Sequence, residues 1–390
     1  MRNTTTNARR KYIGIALLSK GYRPFFLMAG IWAVLSLFLW LFMLTGLIIL
    51  PSAFSPLEWH MHEMIFGYSS AVIAGFLLTA VPNWTGRFPI SGNSLLVLVL
   101  VWLVGRAVVL FSSYFDAYLV MAIDLVFPVL LSLAISIEIF AGKNWRNLRV
   151  LIVLLGFMLS NLFFHLEIII SGAADYSFRL GVVMVLIMIM VIGGRIIPSF
   201  TRNWLVRFNL YDLPAPFSKF DYICMIISIV ALIAWVVFPT LILLAILLAL
   251  AGLLNLVRLY RWAGLKTVKE PMVLVLHIAY LFIPLGFLAL AFSIIFPNIL
   301  SQAGATHLFT AGAIGMMSIA MMSRVSLAHG GQRPEADKII SAIYLTLFLS
   351  VITRFIAGFL LQLSFLIHIS ATLWIAAFLI FIIRYWRVLV

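Results

Sequence analysis

The chain is dominated by apolar segments of about 20 residues that follow one another with only short polar connections. A segment of that length crosses the hydrocarbon core of a bilayer as an α-helix, and the helix satisfies its own backbone hydrogen bonds inside the lipid. Hydrophobic residues make up 65% and charged residues 10% of the 390 positions, far from the balance of a soluble globular protein. The sequence therefore predicts an all-α polytopic membrane protein in which residues 1–390 form a single transmembrane domain.

About twelve transmembrane helices are predicted between residues 25 and 385. Pro239 separates the seventh segment from the eighth, and one long kinked helix is the alternative at that position. The connections are short, and the longest runs from residue 201 to 219. The predicted spans are 25–50, 64–82, 93–111, 117–140, 148–170, 178–198, 220–238, 240–260, 271–296, 304–325, 338–361 and 364–385.

The formal charge of +14 raises the question of nucleic-acid binding. The basic residues, however, are concentrated in every second connection between the predicted helices and do not form one soluble face. If the N-terminus is cytoplasmic, the outer half of the bundle keeps only Arg106, Arg179 and Arg354. This positive-inside pattern predicts an inner-membrane protein with both termini in the cytoplasm, with the lipid bilayer and not nucleic acid as its partner. Residues 1–20 lack the apolar core and cleavage site of a signal peptide, and they predict a basic cytoplasmic tail, with a surface helix as the alternative.

Five of the seven histidines lie toward the outer side in this topology: His60, His62, His165, His307 and His368. Ionisable groups are costly inside a membrane unless they bind something, and imidazole is the commonest metal ligand. The alternative for each histidine is a hydrogen-bonded structural role. His60 and His62 are two residues apart, so on a helix their side chains point about 200° away from each other. They suit two different sites, or one is a ligand and the other faces solvent at the interface.

A faint internal repeat relates the predicted second, sixth and tenth helices. Superposing Pro82 on Pro198, and Arg195 on Arg324, brings His62, Phe178 and His307 into one column. The repeat predicts three pseudo-symmetric four-helix units, with coincidence as the alternative because the match rests on few residues.

A haem held between two helices needs two imidazoles that face each other across the ring. The repeat selects His62 and His307 as this pair. Arg106 and Arg354 lie at the outer side and are candidate partners of the haem propionates. The alternative for Arg106 is an ion pair with Asp124 that joins the third and fourth helices.

Cys224 is the single cysteine, so a metal site must use other ligands. Copper suits a site without thiolates, and His60, His62, His165 and His307 are the candidate metal ligands. For His165 the alternative is a packed residue paired with Glu167. The nearby methionines are interpreted as core filler.

Several motifs together resemble the NnrS family: residues 21–27, 59–64, 75–87, 102–106, 193–203 and 307–331. The resemblance implies a bacterial inner-membrane protein of twelve helices that binds haem, expected to be b-type, and copper, and that protects against nitric oxide and nitrosative stress. It also implies that histidines in or near these motifs matter, namely His60, His62, His165, His277, His307 and His329. Haem–copper oxidase catalytic subunits are similar in having twelve helices with haem histidines on helices 2 and 10, but this chain lacks their copper-binding histidines on helices 6 and 7.

The resulting hypothesis is a haem and copper membrane protein that binds or detoxifies nitric oxide or its iron adducts near the periplasmic face. Catalytic turnover and the electron donor are left open. One alternative is a twelve-helix secondary transporter of a small solute, which would need broken helices and a polar site at the bilayer midplane. Another is a membrane scaffold or assembly factor whose haem is regulatory.

Overall fold

The fold was analysed in a computed structural model that describes residues 14–360 and 362–390. Twelve helices in this part of the chain are long and apolar enough to cross a membrane, and the described residues contain no strand. Most of the predicted basic tail falls in residues 1–13, outside the described residues. The helices are α1 (Tyr22–Leu44), α2 (Pro56–Thr85), α3 (Asn93–Leu110), α4 (Ala117–Ala141), α5 (Trp145–Ser171), α6 (Tyr176–Arg207), α7 (Lys219–Val237), α8 (Ile242–Tyr260), α9 (Pro271–Ile295), α10 (Gln302–His329), α11 (Lys338–Ile356) and α12 (Phe365–Leu389).

The all-helical fold with twelve spans is confirmed. Residues 238–241 separate α7 from α8, so the single kinked helix is ruled out there. Helix α6 continues to Arg207, well beyond the predicted end at residue 198, because Pro198 is accommodated inside the helix. Consecutive spanning helices run in opposite directions, so the start of α2 and the end of α5 lie at the same end of the bundle. We call this end, which also holds the start of α10 and the end of α11, the histidine end.

Four helices form the interior of the bundle. In α2, α6, α9 and α10, between 67% and 83% of an apolar stretch of 18 residues is buried inside the protein. In the other eight helices the buried share of the corresponding stretch is 33–44%. Helices α2, α6 and α10 contact one another at the centre. These are the three helices that the predicted repeat relates, although the repeat itself stays a prediction.

Helix α2 begins earlier than predicted. Ser55 and Glu58 form a capping box and Pro56 occupies the first turn, which together start the helix at residue 56 instead of 64. The predicted start of the second span at residue 64 was therefore too late by more than a turn. Both histidines are helical, and their opposite directions follow from the helical spacing.

Helices α2 and α10 share an unusual local geometry. Each contains a π-helical segment, Glu63–Tyr68 in α2 and Leu308–Gly315 in α10. His62 directly precedes the first segment and His307 directly precedes the second. Such π-helical turns are rare and occur often at functional sites.

Candidate functional site

The histidine end contains a cluster of polar side chains that is closed off from solvent. We call it the buried ion cluster. Its members come from four different helices and each is at most 5% exposed: His62, Glu63, Arg106, Asp124, Asn161 and His165.

Asp124 lies at the centre of this cluster. Its Oδ2 atom is 3.1 Å from Nε2 of His165 and 3.3 Å from Nε2 of His62, and it accepts a hydrogen bond of 2.9 Å from the Asn161 amide. Its other oxygen forms an ion pair with the Arg106 guanidinium. Asp124 thus joins α4 to α2, α3 and α5.

Glu63 is the second buried carboxylate. Its Oε1 atom lies 2.6 Å from the Arg106 guanidinium and 2.9 Å from Nδ1 of His62. Its Oε2 atom accepts a hydrogen bond of 2.8 Å from the Trp32 indole. Buried carboxylates are tolerated only when they are paired and hydrogen-bonded, and Glu63 meets both conditions.

The buried ion cluster holds two carboxylates and one guanidinium. With neutral imidazoles its formal charge is negative, so a proton on an imidazole or a bound cation would balance it. His62, Asp124 and His165 each offer one ligand atom, and these atoms lie within 4.8 Å of one another. Imidazole nitrogen with carboxylate oxygen is a common ligand set for divalent metals, so this group is a possible metal site.

A second feature of the histidine end is a cavity of about 350 Å³, which we call the histidine cavity. Its volume is near the lower end of the range of about 300–1,000 Å³ that small-molecule sites occupy. Side chains of His60, His307 and Arg354 line it together with the aromatic rings of Trp40, Tyr68, Phe178, Trp235 and Trp374. The cavity therefore combines a largely apolar, aromatic wall with a few polar groups.

The two imidazoles in this cavity are available as ligands. Nδ1 of His307 is 2.7 Å from the Ala303 carbonyl oxygen, and because a carbonyl only accepts, Nδ1 carries the proton. In the neutral ring Nε2 then has a free lone pair. The His60 ring stacks on Trp40 at 4.3 Å between centroids, and its Nδ1 is buried without a hydrogen-bond partner among the described residues.

Arg354 brings a positive charge to the same cavity. Within residues 14–360 and 362–390, no carboxylate forms an ion pair with it. Two imidazoles and an unpaired guanidinium in an aromatic wall fit a flat, apolar metal cofactor that carries acidic groups, such as haem.

The predicted site residues divide between these two places. His62 and His165 belong to the buried ion cluster, whereas His60, His307 and Arg354 line the histidine cavity. The structure therefore does not bring His62 and His307 into one group, and their shared haem stays a prediction that this arrangement does not favour. Arg106 forms the predicted ion pair with Asp124.

Other sequence predictions are corrected or confirmed by local contacts. His165 does not pair with Glu167, because Glu167 accepts hydrogen bonds from the backbone of residues 175–177 at the start of α6. His277 is a buried core residue whose Nε2 lies 2.7 Å from the Thr201 hydroxyl. His329 lies beyond the predicted span 304–325 but is the last residue of α10, with its ring 5.9 Å from that of Tyr22.

Sequence reasoning missed Glu63 and Asn161 as members of the buried ion cluster. Glu63 did carry a signal, because a carboxylate next to His62 in an apolar segment needs a partner. Asn161 carried a weaker signal, since a single amide in a membrane helix commonly bonds to its own or a neighbouring helix.

The fold and these two groups define a class: a multi-pass membrane protein of twelve helices with a possible metal site buried among its helices. The family model described as NnrS protein matches residues 16–390, and the chain belongs to the NnrS family. No curated protein matches the chain in sequence.

Proposed function

We propose that the protein is an inner-membrane haem protein, with copper as a second metal, that binds or detoxifies nitric oxide or its iron adducts. Membership of the NnrS family supports this function, because the resemblance drawn from the sequence motifs implies haem and copper binding in the nitric oxide response. The observation that carries the proposal is the histidine cavity, where two imidazoles and an unpaired guanidinium meet in an aromatic wall.

In this proposal His60 and His307 hold the haem, and Arg354 compensates the charge of its propionates. His307 is held in one tautomer by the Ala303 carbonyl, which directs Nε2 as a ligand. Trp40 fixes the plane of the His60 ring by stacking. When bound, haem would supply an iron that coordinates nitric oxide in place of one of the two imidazoles.

The buried ion cluster is the proposed place of the copper ion. His62, Asp124 and His165 supply the ligand atoms, and Glu63, Arg106 and Asn161 hold these ligands in position. Because the same groups also form a hydrogen-bonded network, a purely structural role is the alternative for this cluster.

The outer location is proposed from charge. Basic residues concentrate at the end of the bundle opposite the histidine end, and by the positive-inside rule this supports a periplasmic histidine end. The transporter alternative needs broken helices, but α2 and α10 remain helical through their π segments.

The experiment compares the haem content and optical spectrum of purified variants. We expect His60→Ala and His307→Ala to lose the low-spin haem spectrum, because each removes one of the two imidazoles that would hold the haem. His368→Ala is the matched control, since His368 is half-buried at the same end but does not line the cavity.

His62→Ala separates the two haem assignments. If His60 and His307 hold the haem, this variant keeps the haem spectrum and loses bound copper. Loss of the spectrum in His62→Ala but not in His60→Ala would favour the pair His62 and His307, and a normal spectrum in all three variants would contradict both assignments.

A further inference from the structure

A second cavity lies between the three central helices. It has a volume of about 80 Å³ and is lined only by residues of α2, α6 and α10, and we call it the apolar passage. Its walls are almost entirely aliphatic, aromatic or thioether side chains, among them Val72, Ile192 and Met317.

The apolar passage adjoins the histidine cavity. Ser69 and Ile314 line both of them, so the two spaces meet at these residues. Ile314 belongs to the π segment of α10, and Ser69 directly follows the π segment of α2. The two irregular turns thus border the junction.

The polar atoms of the passage are turned away from it. The Ser69 hydroxyl donates to the Met64 carbonyl at 2.9 Å, and the Ser318 hydroxyl donates to the Ile314 carbonyl at 2.7 Å. A buried water needs two to four polar partners, and apolar cavities without them stay dry and accept apolar guests such as xenon. The passage is therefore poorly suited to water, ions or polar solutes.

The passage extends away from the histidine end. From Ser69 to Phe76 it follows α2 for about 10 Å, as the helical rise dictates. At this far part the side chains of Phe76, Ile189 and Ile196 are only partly buried. Partly exposed apolar side chains in a spanning helix leave a way for an apolar molecule dissolved in the bilayer.

We propose that the apolar passage admits a small, uncharged, apolar gas from the bilayer and delivers it to the histidine cavity at Ser69 and Ile314. Such molecules prefer hydrocarbon surroundings to water, so the membrane is their natural reservoir and a dry passage their natural path. This inference rests on the proposed function in one respect, namely that the gas binds a metal cofactor in the histidine cavity.

The first test is independent of haem. Crystals of the full-length protein under xenon pressure should show xenon in the passage, because xenon is apolar and fits a small dry cavity. Val72→Phe and, as a second filling variant, Ile192→Phe should lose this xenon. Val104→Phe is the matched control, because Val104 is 53% exposed on the outer surface of α3 and should leave the xenon in place.

The second test measures delivery in the haem-loaded protein with carbon monoxide as the probe. We expect the filling variants to slow its association after photolysis by about tenfold, equivalent to about 1.4 kcal/mol on the barrier, with an unchanged absorption spectrum. Association in Val104→Phe should match that of the wild type.

Each outcome decides the proposal. Absence of xenon in the wild-type passage, or a lipid chain in its place, overturns it, and so does unchanged association in two folded filling variants that have lost xenon. If the protein binds no haem, the proposed function fails, whereas xenon in the wild type that is lost in both filling variants still supports the passage as a gas site.

Discussion

At the scale of single residues, the histidine end is organised by charge pairs that replace water inside the bundle. Asp124 contacts two imidazoles, one amide and one guanidinium, and all of its partners are buried. Removing one member of such a group leaves the others buried and unpaired, which costs more than the pair itself contributes.

Arg106→Gln tests this reasoning. We expect it to destabilise the folded protein by about 3–5 kcal/mol, because Glu63 and Asp124 lose their only guanidinium partner in the cluster. The measurement is unfolding of the purified protein in detergent by denaturant titration. Arg87→Gln is the control, since Arg87 forms a partly exposed ion pair with Glu138 and its loss should cost about 0–1 kcal/mol. Equal effects of the two substitutions would show that burial adds nothing to the Arg106 pairs.

Asp124→Asn tests the metal role of the same cluster. The substitution keeps the shape of the side chain but removes a charged ligand oxygen, so we expect bound copper to fall well below the wild-type ratio. Metal content measured by mass spectrometry checks this, with haem content as the internal control. Unchanged copper in a folded variant would leave the cluster with a structural role only.

At the scale of helices, the two π segments determine which residues of the central helices face the neighbouring side chains. In α2 the segment Glu63–Tyr68 places Gly67 directly against the buried ion cluster. A Cβ atom at this position would lie 2.6 Å from Oε2 of Glu63 and 2.7 Å from Nε1 of Trp32. The absence of a side chain at residue 67 therefore lets the carboxylate and the indole approach the helix.

Gly67→Ala is expected to displace Glu63 and Trp32 and to lower both the stability of the protein and its copper content. Gly193→Ala is the matched control in α6, because a Cβ atom there would meet only ordinary contacts of 3.4 Å or more. Metal analysis and denaturant titration of the two variants check the difference. A Gly67→Ala protein that behaves like Gly193→Ala would contradict the close packing inferred for the π segment.

The helices were predictable from the sequence because length and hydropathy suffice to place a spanning segment. Their local irregularities were not predictable, since the capping box at Ser55 extends α2 outside the apolar stretch and the π segments have no signature in the hydrophobic pattern. The opposite directions of His60 and His62 follow from helix geometry alone. Their partners depend on which helices α2 contacts, and hydropathy does not encode that neighbourhood.

At the scale of the whole molecule, the account depends on which way the bundle lies in the membrane. The outer half was predicted to keep only Arg106, Arg179 and Arg354, and the structure places Arg106 in the buried ion cluster and both Arg179 and Arg354 at the histidine cavity. All three arginines thus lie on helices at sites inside the protein, which strengthens the contrast in loop charge between the two ends.

Cysteine labelling tests the orientation. Cys224 is buried and single, so Cys224→Ser supplies a background for cysteines at exposed loop positions. We expect Ile49→Cys, at the histidine end, to react with a membrane-impermeant maleimide on spheroplasts. Tyr211→Cys, at the opposite end, should react only after lysis, and the reverse pattern would place the histidine end in the cytoplasm.

The central claim is that the histidine cavity holds a haem to which nitric oxide binds. The most direct measurement is the optical spectrum of the detergent-purified protein, oxidised and dithionite-reduced, before and after addition of nitric oxide. The account predicts a Soret band that shifts with the gas in the wild type and is altered in His60→Ala and His307→Ala. A protein made with abundant haem that shows no Soret band, or a band that does not respond to nitric oxide, would contradict the account.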